Sequence, residues 1–146
     1  MARTLTRWFL ALVYLAAGIL HVLIPEPFLG IMPPAVPIPE AVVFLTGVAE
    51  ILGAIGLAQW QSAPLRRAAG IGLALYALCV WPANIQHMIN DLSGDGGLGL
   101  GYHAPRMIAQ PLIIWAALWA AGAINWPFGQ PASSSRSTKS SSDDPL

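Results

Sequence analysis

The sequence predicts an all-α integral membrane protein: an antiparallel four-helix bundle with both termini cytoplasmic and a proline-rich outer loop. Three observations carry that expectation. Apolar residues make up 55% of the chain and charged residues only 10%, against about 25% charged in soluble domains. Four apolar stretches of spanning length recur along 146 residues. The basic residues gather on one side of those stretches if the helices alternate in direction.

The first stretch is residues 5–24, LTRWFLALVYLAAGILHVLI. Arg3 and Arg7 ahead of an apolar run also fit a signal peptide. Against that, the run continues to Ile24, no A-x-A-like site leads into a polar segment, and three more apolar stretches follow. The second stretch is 41–60, the third roughly 68–89 and the fourth roughly 107–126. Each falls within the ~17–25 residues that a spanning helix needs. Short links between evenly spaced spans favour a compact bundle.

Orientation follows from the cations. Arg3, Arg7, Arg66, Arg67, Arg136 and Lys139 share one side, and only Arg106 lies on the other. The positive-inside rule puts the first group in the cytoplasm. Trp8, Trp60 and Trp126 mark the same side, as an aromatic belt does.

Link 25–40, PEPFLGIMPPAVPIPE, holds six prolines and no basic residue. Proline removes backbone donors, so the link reads as neither helix interior nor central strand. It suits a stiff hairpin capping the bundle at the outer interface, or an apolar loop on lipid headgroups. Link 91–105, DLSGDGGLGLGYHAP, has five glycines and reads as a flexible outer loop. Its glycine pattern follows no strand, which argues against a phosphate site. The chain reads as one transmembrane domain, 1–128, followed by a polar, Ser-rich, disordered cytoplasmic tail, 129–146. Seven basic residues balance seven acidic ones, so bulk charge predicts no nucleic-acid partner.

The chemistry lies in the few polar residues inside the spans. Glu50 is the sole charge in residues 41–60, roughly 13 Å from one end of that helix at 1.5 Å per residue. A carboxylate at that depth is expensive unless paired, protonated or wetted, so it marks a functional site by default. Tyr14, Gly18 and His21 share a face of the first span, and Thr46 joins Glu50 on the second. Asn84 and His87, with Asp91 beyond, share a face of the third, and Arg106 and Gln110 a face of the fourth. The expected site is therefore one polar cavity open to the outside, formed by His21, Glu50, Asn84, His87, Arg106 and Gln110. Spacing leaves open whether Arg106, His21 or His87 pairs with Glu50. The competing reading is a satisfied network that fixes helix register.

No close ligand pair such as H-x-x-x-H supports a metal or haem, so none is assigned. Cys79 is the single cysteine, which rules out an internal disulfide or a Cys-x-x-Cys pair; it reads as a small apolar filler. Pro82 and Pro111 free the carbonyls of Leu78 and Met107, which would line the cavity or mark packing kinks. The pairs Ala49 with Gly53, Gly70 with Ala74, Ala116 with Ala120 and Ala117 with Ala121 have the small-xxx-small spacing of close helix contacts, which suits the bundle interior and also self-association.

The runs AAGILHVLIPEPFLGIMPP, FLTGVAEILGAIGL, RRAAGIGLAL, WPANIQHMIN and RMIAQPLIIW resemble those of DoxX-like small membrane proteins. The shared elements are H-x-x-x-P-E-x-F, G-x-x-E, P-A-N-I and R-x-x-x-Q-P, covering the chain to about Trp126. The resemblance implies a four-helix membrane fold and an association with quinone-linked redox complexes, and it assigns no catalytic role to any residue. The expected location is the bacterial cytoplasmic (inner) membrane. Two functional readings follow. One is a membrane subunit or accessory of a quinone-linked redox system, with a redox enzyme as partner and Glu50 exchanging protons. The other is a non-enzymatic scaffold or assembly factor; a small-molecule transporter ranks last because no internal repeat is visible.

Overall fold

The computed structural model describes residues 1–94 and 97–129. Among these the regular structure is helical and contains no strand: α1 (Ala2–Leu23), α2 (Glu26–Leu29), α3 (Pro39–Ala58), α4 (Ala63–Ser93) and α5 (Gly99–Ala121). Helices α1, α3 and α4 are each long and apolar enough to cross a membrane. Helix α5 spans 23 residues but is not one of those three, because its first half carries His103, Arg106, Gln110 and two prolines. The expected tail beyond Gly129 lies outside the described residues.

The long helices pack in a ring, α1 on α3, α3 on α4, α4 on α5 and α5 on α1. Small residues let them approach. A Cβ added to Gly18 would lie 2.7 Å from the carbonyl oxygen of Gly47, so α1 and α3 meet backbone to backbone. A Cβ on Gly70 would strike the Ala117 carbonyl at 2.8 Å, which brings α4 equally close to α5. Leu10, Tyr14, Leu57, Leu73, Ala117 and Ala121 fill the core between them. The outward faces are apolar too: Phe9, Leu12, Leu52, Leu75 and Leu112 are all exposed. Helices that are apolar all round suit a lipid environment.

The turn from α3 to α4 is short because its polar groups satisfy one another. Gln59 donates to the carbonyls of Gly56 and Ser62 and accepts from the Ser62 N–H. The Ser62 hydroxyl then caps α4 by accepting from Leu65 N–H. At the same end, Arg3 donates to the Ile124 carbonyl and to Asn125 Oδ1 and stands over the Trp119 ring. The start of α1 is thereby tied to the chain leaving α5. Trp8, Trp60 and Trp126 are exposed near this end.

Two expectations need correction. The proline-rich link is not wholly non-helical: Pro27 in the first turn permits one turn of helix, α2, before the chain bends back into α3. The glycine-rich stretch is not a loop from 91 to 105, because α4 continues to Ser93 and α5 begins at Gly99 rather than at 107. Tertiary bonds override the low helix propensity of glycine here. The Leu98 N–H and the His103 ring both bind Asp91 Oδ2, at 3.1 and 2.9 Å, which clamps the start of α5 to the end of α4. At the other terminus Gly122, at φ +78°, ends α5 by donating to the Leu118 and Trp119 carbonyls.

Candidate functional site

At the end of the molecule away from Arg3, the helices enclose a cavity of about 340 Å³. That lies within the ~300–1,000 Å³ typical of small-molecule sites. Its wall is mostly apolar. Phe28, Ile31, Met32 and Val36 come from the proline-rich link, while Val42, Val43 and Val80 come from α3 and α4. The polar groups on the wall are His21, Thr46, Tyr76, Asn84 and Arg106, with Cys79 beside them.

Glu50 sits within the bundle rather than on the cavity wall and is only 3% exposed. Its partner is His21, whose Nδ1 is 2.9 Å from Glu50 Oε2. The same nitrogen lies 2.9 Å from the Ala17 carbonyl. A single ring N–H cannot aim at both acceptors. Directed at Ala17, it leaves Oε2 close to the ring but without a well-angled hydrogen bond. Tyr76 reaches the cavity wall from α4. On its other side His21 stacks on Phe28, ring centroids 3.6 Å apart. The one-turn α2 therefore holds the imidazole between a carboxyl and an aromatic lid.

Arg106 belongs to a second group. Its Nη2 donates to Asn84 Oδ1 at 2.6 Å, its Nη1 to His87 Nδ1 at 3.0 Å, and the guanidinium lies 5.0 Å from the Tyr102 ring centroid. All three partners are neutral or aromatic. Among the described residues no carboxylate oxygen comes within 4.0 Å of Arg106. A cation held by neutral acceptors on an apolar wall keeps donors available for an oxygen on a ligand.

Of the six residues proposed from sequence, His21, Asn84 and Arg106 reach the cavity wall. Glu50 is joined to it through His21, and His87 through Arg106. Gln110 stands apart: it is buried and donates to the Ala77 carbonyl at 2.8 Å, tying α5 to α4. Sequence reasoning missed Tyr76 and His103 as site residues. It also misread Cys79, which is exposed rather than buried and lines the cavity. Pro82 lies on the wall as well, whereas α5 continues unbroken through Pro111. A usable signal existed for Tyr76, which lies eight residues before Asn84 and so close to its helix face.

A third group lies beyond His87, between α4 and the start of α5. His103 is fully buried, and its Nε2 lies 2.9 Å from Asp91 Oδ2, while His87 Nε2 lies 3.4 Å from the same oxygen. Helix α4 has 31 residues, about 46 Å at 1.5 Å per residue, so it exceeds the ~30 Å of a hydrocarbon core. Asp91 lies in its last turn.

Among the described residues, fold and site together define an all-helical membrane-type protein, with three helices of membrane-spanning character and an apolar cavity edged by polar groups. Residues 10–121, from α1 to the last residue of α5, match the family model described as "Domain of unknown function (DUF8561)". The chain belongs to that family. Comparison with curated proteins and with solved structures gives no match.

Proposed function

We propose that this chain is an integral membrane four-helix bundle with cytoplasmic termini, whose outward cavity binds a lipophilic molecule with an oxygen-bearing head. The class favoured is a quinone, and the role that of a membrane subunit or accessory of a quinone-linked redox system. One observation carries the reading: an apolar cavity of about 340 Å³ has Arg106, Asn84 and His21 at its polar edge. A flat ring with carbonyl oxygens suits such a wall, because apolar side chains cover the ring and the guanidinium donates to an oxygen. The Glu50–His21 pair next to the wall supplies groups that exchange a proton with a bound head. The resemblance to DoxX-like proteins is in line with the same assignment, and the cationic end with the exposed tryptophans near it supports the orientation.

Equilibrium binding of a short-chain ubiquinone analogue to the protein in lipid nanodiscs tests this. Arg106→Gln should weaken binding about tenfold or more, the worth of one charge-assisted hydrogen bond. Glu50→Gln should leave affinity nearly intact but abolish the proton uptake that follows when added dithionite supplies two electrons to the bound quinone. No binding by the native protein, or equal affinity in Arg106→Gln, would remove the proposal.

A second reading has its own observation. The backbone-to-backbone approach at Gly18 and Gly47, with His21 beside Glu50, staples α1 to α3. As a scaffold or assembly factor, the protein would need that staple for folding alone. Glu50→Gln would then lower folded yield and copurification of a partner enzyme without any effect on quinone.

A further inference from the structure

We propose that His87, Asp91 and His103 form a site for a divalent transition-metal ion of the zinc class at the outer end of the α4–α5 pair. The argument begins with spacing. His87 and Asp91 are at i and i+4 on α4, so both point from one helix face. His103 lies within the second turn of α5 and is brought opposite them by the clamp already described. One imidazole nitrogen from each histidine and one carboxylate oxygen of Asp91 all lie within 4.8 Å of one another.

The geometry fits an ion in the middle. Zinc binds imidazole nitrogen at ~2.0–2.1 Å and carboxylate oxygen at ~2.0–2.2 Å in a tetrahedron, which sets neighbouring ligand atoms ~3.4 Å apart. Two of the three edges here measure 2.9 and 3.4 Å. The two imidazole rings stand nearly perpendicular, at 87°, with centroids 4.9 Å apart, so neither blocks the other's approach. Two neutral nitrogens and one carboxylate form a borderline set that suits zinc better than calcium or magnesium, which prefer oxygen cages. Three protein ligands leave a fourth position for water.

His103 is 0% exposed, and Asp91 is its ring's one hydrogen-bond partner among the described residues. An ion at Nε2 would take the place of that bond, with the ring proton carried on Nδ1. The Leu98 N–H on Asp91 Oδ2 acts as the outer support that orients the carboxylate.

Arg106 competes with the ion. By donating to His87 Nδ1 it holds that ring with its proton on Nε2, the atom that would ligate. Loading therefore requires His87 to move its proton to Nδ1 and release Arg106. It follows that Arg106→Gln should tighten metal binding, since it removes both the competing donor and a nearby positive charge. This outcome is independent of the quinone reading.

The test uses the full chain in nanodiscs, stripped with EDTA and titrated with Zn²⁺ against a chromogenic chelator. One equivalent should bind. Asp91→Asn, close to isosteric, and His103→Gln should each weaken it at least tenfold, and Arg106→Gln should strengthen it. Co²⁺ should give the visible absorption of a tetrahedral site in the native protein and lose it in Asp91→Asn. If His103→Gln fails to fold, native stoichiometry and the Asp91→Asn comparison still decide. Absence of stoichiometric Zn²⁺ on the native chain, or equal affinity in Asp91→Asn, would overturn the site.

Discussion

Glu50 and His21 hold each other in a place where neither would be stable alone. With side-chain exposures of 4% and 12%, both have surrendered most of their water, and removal of one partner strands the other. His21→Ala should lower stability by about 3 kcal/mol, read as a fall in the melting midpoint in detergent or nanodiscs. Glu50→Gln, which keeps the shape and loses the charge, should cost far less. Equal losses would show that charge does not govern the pair. Glu50, His21, Asn84 and Arg106 were legible in the sequence because lipid makes every buried polar group conspicuous. Tyr76 was not, because a tyrosine fits an apolar helix without any charge to mark it. His103 was missed for a different reason: it falls in a glycine-rich run, whose start is held to α4 by the bonds of Leu98 and His103 to Asp91.

At the scale of elements, the contact of α1 with α3 depends on the absence of two side chains. A Cβ on Gly47 would lie 2.7 Å from His21 Cβ and 3.0 Å from the Gly18 carbonyl. Gly47→Val should therefore destabilise the protein by about 1–3 kcal/mol through overpacking, and should loosen the Glu50–His21 pair with it. Chemical denaturation of the variant in mixed micelles checks the magnitude; an unchanged midpoint would mean that the helices are free to separate. Helices α1, α3 and α4 were readable from hydropathy, since a helix bounded by lipid has no alternative way to satisfy its backbone. The bounds of α5 were not. Its apolar half alone stands out in composition, while its polar half is ordered by Asp91 on another helix. The one-turn α2 escaped notice because proline was read as a breaker, whereas proline in a first turn is tolerated.

For the whole molecule, the distribution of charge and aromatic residues bears on how the bundle would sit in a bilayer. Arg3 and Arg7 open α1 and Arg66 and Arg67 open α4, so these cations belong to the end opposite the cavity. In the proposed orientation, alkaline phosphatase fused after Gly129 stays in the cytoplasm and is inactive, while a fusion in the link between α4 and α5 is exported and active. The reverse pattern would invert the molecule and turn the cavity inward.

The central claim is that the cavity admits a lipophilic ligand with a polar head. Cys79 reports on it directly, being the only cysteine in the chain and lying exposed on the cavity wall. Its alkylation rate should be measured in native membranes with and without a fully substituted ubiquinone analogue, whose ring resists thiol addition. The account predicts that labelling slows in a saturable manner and that Arg106→Gln shifts the protection to higher ligand concentration. Labelling that stays equally fast at saturating quinone would contradict it.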